Sequence, residues 1–124
     1  MKIILLSLLL NISAYNNNDH FVNTNWVSKV ASRYTESLNL RENNYVIHYN
    51  TTSDHTYHGC YSISKDTLII KERDNSKGKK VCYRRIKFLR KDNVLYPCCN
   101  EELINHQWAK SKAQIQKSYV FKKV

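Results

Sequence analysis

The stretch that decides the fold is YHGCYSISKDTLIIKER, residues 57–73. Residues 57–64 and 67–73 are rich in Tyr, Ile and Thr, residue types that favour β-strands. Lys65 and Asp66, which separate the two runs, are polar and suit a tight turn. Two strands joined by two residues form an antiparallel hairpin, so the sequence predicts a sheet in which strands pair with their neighbours along the chain.

Further strands are predicted on both sides of this hairpin. YVIHY, residues 45–49, has the β-branched and aromatic composition of a strand. After the hairpin, DNSKG at residues 74–78 predicts a turn, because Gly accepts a positive φ and Asp and Asn tolerate one. Residues 80–90 then alternate as a long strand, and a short last strand at residues 94–96 follows a turn at Asp92 and Asn93.

The two ends of the chain show the spacing of helices. An apolar residue recurs every four positions after Asn25, at Trp26, Val30, Tyr34 and Leu38. A second apolar stripe follows Asn100, a residue that can cap a helix, at Leu103, Ile104, Trp108 and Ile115. The sequence therefore predicts an α+β fold: an antiparallel meander of four to five strands, with an N-terminal and a C-terminal helix, stabilised by disulfides.

The N-terminus has the three parts of a secretory signal peptide: a positive start, a short apolar run and small residues before a polar segment. The apolar run is far shorter than the roughly 20 residues of a membrane-spanning helix. We expect a signal peptide at residues 1–14, a flexible arm at 15–24, a single α+β domain at 25–118 and a basic tail at 119–124. The mature product is expected to be secreted and to have no membrane span.

The cysteines and one sequon agree with secretion. Four cysteines lie beyond the leader, at Cys60, Cys82, Cys98 and Cys99, and an even set predicts two disulfides. A structural zinc site would normally use a Cys-x₂₋₄-Cys pair, which is absent from the sequence. The predicted strand pairing puts Cys60 and Cys82 about 9.5 Å apart, too far to bond, so each is predicted to bond one of the adjacent cysteines. Asn50 begins an Asn-Thr-Thr glycosylation sequon.

Positive charge is concentrated in one segment. The chain carries 20 basic and 10 acidic residues, and residues 71–91 alone hold ten basic and two acidic ones. Between positions 77 and 91 there is no acid, and the basic residues are Lys77, Lys79, Lys80, Arg84, Arg85, Lys87, Arg90 and Lys91. This run predicts a site for polyanions, which outside the cell are sulfated glycosaminoglycans and anionic cell surfaces. The alternative is a solvated basic edge strand that only prevents aggregation.

The predicted function is that of a secreted, basic, disulfide-bonded interaction protein of cytokine-like or host immune-modulating type, with an extracellular protein partner. The alternative is a small secreted hydrolase, most plausibly a ribonuclease, which needs two histidines as base and acid. His106 with His48, His55 or His58 would supply such a pair. No nucleophile motif or Gly-rich phosphate loop is present, no cofactor or metal is expected, and nucleic acid is not an expected partner of a secreted protein.

Overall fold

The structure, a computed structural model, describes residues 21–31, 34–51, 53–74, 82–111 and 119–124. These residues are almost entirely β-structure, with a 3₁₀ turn at Glu42–Asn44. The strands are β1 (Thr24–Ala31), β2 (Tyr34–Leu40), β3 (Tyr45–Asn50), β4 (His55–Ser64), β5 (Thr67–Asp74), β6 (Cys82–Lys91), β7 (Val94–Ile104), β8 (Gln107–Lys110) and β9 (Phe121–Lys123).

Eight of the strands close into an antiparallel barrel. Strands β1 to β7 pair in chain order, each with the next, and β9 lies between β7 and β1 to complete the circle. β7 has 11 residues, long enough to pair with β9 at its start and with β8 at its end. β8 therefore extends the sheet beside the barrel wall as a hairpin with β7.

The predicted α+β fold with two terminal helices is wrong. A spacing of four residues fits one face of a helix, but it also fits one face of a strand because four is a multiple of two. Trp26 on β1 and Leu38 on β2 pair across the sheet, and both are buried inside the barrel. In the predicted C-terminal helix, Leu103 pairs instead with Trp108 across the β7–β8 turn. The central β4–β5 hairpin is confirmed, with Ser64 paired to Thr67.

Inward side chains divide the barrel interior into an apolar and a polar region. The apolar region is a continuous cluster of twelve buried side chains: Phe21, Trp26, Leu38, Leu40, Val46, Tyr61, Leu68, Ile70, Ile86, Phe88, Leu95 and Phe121. The polar region holds a buried histidine and a buried glutamate, His48 and Glu72, together with Ser28.

The structure describes part of the predicted N-terminal arm and part of the predicted basic tail. The predicted signal peptide and residues 15–20 of the predicted arm lie outside the described residues. Phe21, the next residue of that arm, is 1% exposed and packs against Trp26, so this part is anchored to the core. Phe121 in the predicted basic tail is fully buried on β9. The described part of the chain holds no helix of the length and apolarity needed to cross a membrane.

Replacing Gly59 by alanine should destabilise the barrel. Gly59 pairs with Glu72, and a Cβ there would lie 2.2 Å from the carbonyl oxygen of Lys71, an atom fixed in the β5 backbone. We expect the free energy of unfolding to fall by about 2 kcal/mol or more, as for other overpacked sites. Urea denaturation measures it. The control is Ser62→Ala, an exposed position of the same strand, and equal midpoints for the two variants would contradict the prediction.

Candidate functional site

The predicted polyanion residues do not share one face of the barrel. Three of them, Lys77, Lys79 and Lys80, lie outside the described residues. The other five all lie on β6, where successive side chains point alternately into the barrel and out of it. Arg84 and Arg90 take inward positions, in line with the buried Ile86 and Phe88. The other three, Arg85, Lys87 and Lys91, take outward positions.

The inward arginines serve the structure. Arg84 forms an ion pair with the buried carboxylate of Glu72, in which its Nε donates a 2.8 Å hydrogen bond, and its guanidinium lies 4.9 Å from the centre of the Tyr57 ring. Arg90 donates hydrogen bonds to Asp66 and to the carbonyl of Asp92, two turn residues. Neither guanidinium is therefore available to a polyanion on the outer surface.

Two of the three outward cations of β6, Arg85 and Lys87, are held by one acid. Arg85 donates two hydrogen bonds of 2.9 Å to the two carboxylate oxygens of Glu101, directly across from it on β7. The Lys87 ammonium lies 3.6 Å from the same carboxylate. The Arg85 guanidinium also lies 4.6 Å from the centre of the Trp108 ring, so it fixes this indole beside the wall.

A groove of about 360 Å³ lies next to this pair on the outer face of β4, β5, β6 and the β7–β8 hairpin. Its lining includes Tyr83, which is 48% exposed, and Trp108. Lys71 and Arg73 of β5 are exposed at its side, paired in the sheet with Arg85 and Tyr83. Among the side chains that the structure describes, no carboxylate lies within 4.0 Å of either cation. The groove therefore combines unpaired positive charge with aromatic surface.

The distribution of charge along the chain does not predict this groove, because its two cations lie outside the basic run of residues 77–91. Lys71 and Arg73 precede the basic run and are separated from it by Glu72 and Asp74. Their alternation with inward residues on β5 is the signal that places them on the outer face. The apolar stripe after Asn100 predicts a helix that contains Trp108, so the predicted fold gives no signal for its position beside β6.

A second cluster of charges lies inside the barrel and is centred on His48. Its Nδ1 lies 3.0 Å from Glu72 and its Nε2 3.0 Å from Glu36. Asn50 donates a 2.6 Å hydrogen bond to the other oxygen of Glu36, and Arg84 pairs with Glu72 as described. Charges buried in a barrel are costly unless each has a partner, and here each carboxylate has two.

Protonation of His48 follows from these contacts. Burial alone lowers the pKa of His48, but its hydrogen bonds and charge interactions with Glu36 and Glu72 outweigh burial and raise this pKa to about 9. Burial raises the pKa of Glu72, whereas His48 and Arg84 bring it below its ordinary value. His48 is therefore an imidazolium at neutral pH, with both N–H groups donated to carboxylates.

The histidines of the predicted ribonuclease alternative are dispersed. A protonated His48 whose two ring N–H groups are both hydrogen-bonded to carboxylates has no free nitrogen with which to accept a proton. His58 lies on the outer face, where its Nδ1 is hydrogen-bonded to the Tyr45 hydroxyl, and His106 lies in the exposed β7–β8 turn. His55 packs edge-on against Tyr57 at a centroid distance of 4.5 Å. Among the described residues, no hydrogen bond or ring contact joins His106 to His48, His55 or His58.

The four cysteines are unpaired in the structure. The predicted pairing used a strand register in which residues 60 and 82 are level, but Cys60 pairs with Lys71 and Cys82 pairs with Asp74. Cys60 on β4 is separated from β7 by two intervening strands, about 14 Å, which is twice the reach of a disulfide. The sheet therefore does not support the predicted bond from Cys60 to Cys98 or Cys99, and a disulfide-stabilised fold is not what the structure shows.

Asn50, the predicted glycosylation site, is half-buried at the end of β3. Its Nδ2, the atom that would carry the glycan, donates to Glu36 in the charge cluster, and its Oδ1 accepts from the amide of Ser53. A glycan on this nitrogen would compete with the bond to Glu36. Glycosylation at Asn50 stays a prediction.

No protein-family model, no curated protein and no solved structure matches this chain.

The His48 cluster should make stability depend on pH above neutrality. The folded pKa of about 9 exceeds the ordinary 6.5, so the stabilisation is complete below pH 6.5 and is lost as the pH rises through 9. Between pH 6 and pH 10, the gap in unfolding free energy between wild type and His48→Gln should narrow by on the order of 3 kcal/mol. Urea denaturation at both pH values measures the gap. His106→Asn, in an exposed turn, should show no such change; a constant gap for His48→Gln would refute the assignment.

Proposed function

We propose that this protein is a secreted interaction protein that binds sulfated polyanions in the groove beside β5 and β6. One observation carries the proposal: Lys71 and Arg73, which have no carboxylate partner among the described side chains, border the same groove as the aromatic rings of Tyr83 and Trp108. The leader pattern of residues 1–14 supports an extracellular ligand, and sulfated glycosaminoglycans are the polyanions found there.

The groove has the chemistry that a sulfated sugar chain requires. The Arg73 guanidinium suits a bidentate contact with a sulfate, and the Lys71 ammonium provides a more diffuse attraction. Tyr83 and Trp108 offer amphipathic rings against which the apolar face of a sugar can pack. Arg85 is bonded to Glu101 and stacked on Trp108, so its role is to hold the indole in place.

The rest of the protein's charge supports capture at long range. The formal net charge is +10, and a field of this sign raises the local concentration of polyanions and speeds their association. Attraction by net charge does not depend on where a cation lies, whereas contact in the groove does. Variants with equal charge at different places therefore separate the two contributions.

Heparin affinity should depend on the groove more than on net charge. Lys71→Gln combined with Arg73→Gln removes the two cations that border the groove, and the salt concentration that elutes the protein from heparin should fall strongly. The matched control is Lys29→Gln combined with Lys122→Gln, exposed lysines of a different groove between β1 and β9. The groove variant should also depend less on salt: its log affinity should fall less steeply with log salt concentration, by up to about two in the size of the slope. Equal elution of the two double variants would refute the groove.

The aromatic part of the groove is tested without a change of charge. Trp108→Leu removes the ring next to Arg85 and keeps an apolar side chain. We expect weaker binding of a sulfated oligosaccharide, by about 1 kcal/mol as for lost ring contacts, measured by titration calorimetry. Val120→Ala, in the groove between β1 and β9, is the control. Unchanged affinity for Trp108→Leu would show that charge alone binds the ligand.

A further inference from the structure

Cys98 and Cys99 project their thiols to the same side of β7. Side chains of successive residues in a regular strand point to opposite faces. Here the β6–β7 pairing shifts by one residue, because Lys87 pairs with Cys99 while Phe88 pairs with Pro97. Cys98 is the extra residue of this β-bulge, a device that turns a side chain in a new direction. As a result the two Sγ atoms lie 3.8 Å apart, Cys98 exposed and Cys99 half-buried.

The backbone favours a dithiol over a disulfide at this position. Cα atoms of consecutive residues are about 3.8 Å apart across a trans peptide, whereas disulfides normally join Cα atoms about 4.4–6.8 Å apart. A bond between Cys98 and Cys99 would therefore be strained and easily reduced. The other two cysteines lie on β4 and at the start of β6, and the Cys98 thiol donates instead to the carbonyl of Lys87.

The spacing of the two sulfurs suits a metal ion. A soft monovalent ion held by two thiolates alone favours a wide S–metal–S angle, and two metal–sulfur bonds of about 2.3 Å span up to about 4.6 Å when they are in line. The observed separation is 3.8 Å, so binding requires the two sulfurs to move apart by less than about 1 Å, which rotation of the exposed Cys98 side chain can provide.

The surrounding charge suits a complex that is negative overall. Two thiolates and one monovalent ion carry a net charge of −1, which nearby cations stabilise. The Lys87 side chain lies on the strand position paired with Cys99. Arg85, two positions before Lys87 on the outer face of β6, is the next cation, and Glu101 pairs with both, so these three side chains together carry one net positive charge.

The number of ligands selects the kind of metal. A structural zinc ion takes four ligands, and no group of three or more His, Cys, Asp or Glu side chains is arranged for a metal in the described ranges. Soft ions such as Cu(I) prefer thiolate sulfur, and hard ions such as Mg²⁺ and Ca²⁺ prefer oxygen. We propose that Cys98 and Cys99 form a binding site for a soft monovalent metal ion, of the class of Cu(I). This inference is independent of the polyanion groove.

The test is a titration of the reduced protein with Cu(I) under anaerobic conditions, in competition with a coloured Cu(I) chelator. We expect one ion to be held per chain, and Cys98→Ser or Cys99→Ser to weaken binding at least tenfold. Cys60→Ser and Cys82→Ser are matched controls, since each removes one thiol elsewhere on the barrel. They should leave the affinity unchanged.

A second measurement needs no variant and covers the case in which a serine variant fails to fold. Alkylation of the folded wild type, followed by peptide mapping, should show that Cu(I) protects Cys98 and Cys99 while the exposed Cys60 still reacts. The proposal is overturned if the wild type holds no Cu(I), if Cys60 or Cys82 is protected or required equally, or if mapping of the protein as purified finds Cys98 bonded to Cys99.

Discussion

Closure of the barrel is the constraint on which the rest of the structure depends. β9 is only three residues long, yet it pairs with β1 on one side and β7 on the other. Its Phe121 is fully buried and packs edge-on against Phe88 at a centroid distance of 5.5 Å. Once the sheet is closed, every strand of the wall has an inside and an outside, and alternation assigns each side chain to one of them.

The inward assignment explains the charges in the interior. An eight-stranded barrel is just wide enough for its inward side chains to fill it, so a polar residue at an inward position meets other inward residues. β2, β3, β5 and β6 each place one charged residue in the same region: Glu36, His48, Glu72 and Arg84. Removing one member would leave a buried charge without its partner, a change that typically costs several kcal/mol. The cluster therefore stabilises one arrangement of four strands.

The sequence predicted local pairing better than it predicted the fold. The β4–β5 hairpin was predictable because its composition and its two-residue turn agree with each other, and Lys65 adopts the positive φ of 56° that such a turn requires. The first helix was mispredicted because four-residue spacing has two interpretations, and the sequence has no Gly or Pro between β1 and β2 to indicate a break. Closure by β9 was not predictable, because a three-residue strand is too short to show a period.

β7 connects the two candidate sites, for a reason that local sequence does not show. Its first residues pair with β9 and close the barrel, and its last four pair with β8 and carry Trp108 to the groove. The Cys98 bulge lies between these two parts. A bulge bends a strand and increases its twist, so it is suited to direct the end of β7 away from β9 and toward β8. The residue that sets the two thiols side by side thus also marks the point where β7 changes partner and begins the wall of the groove.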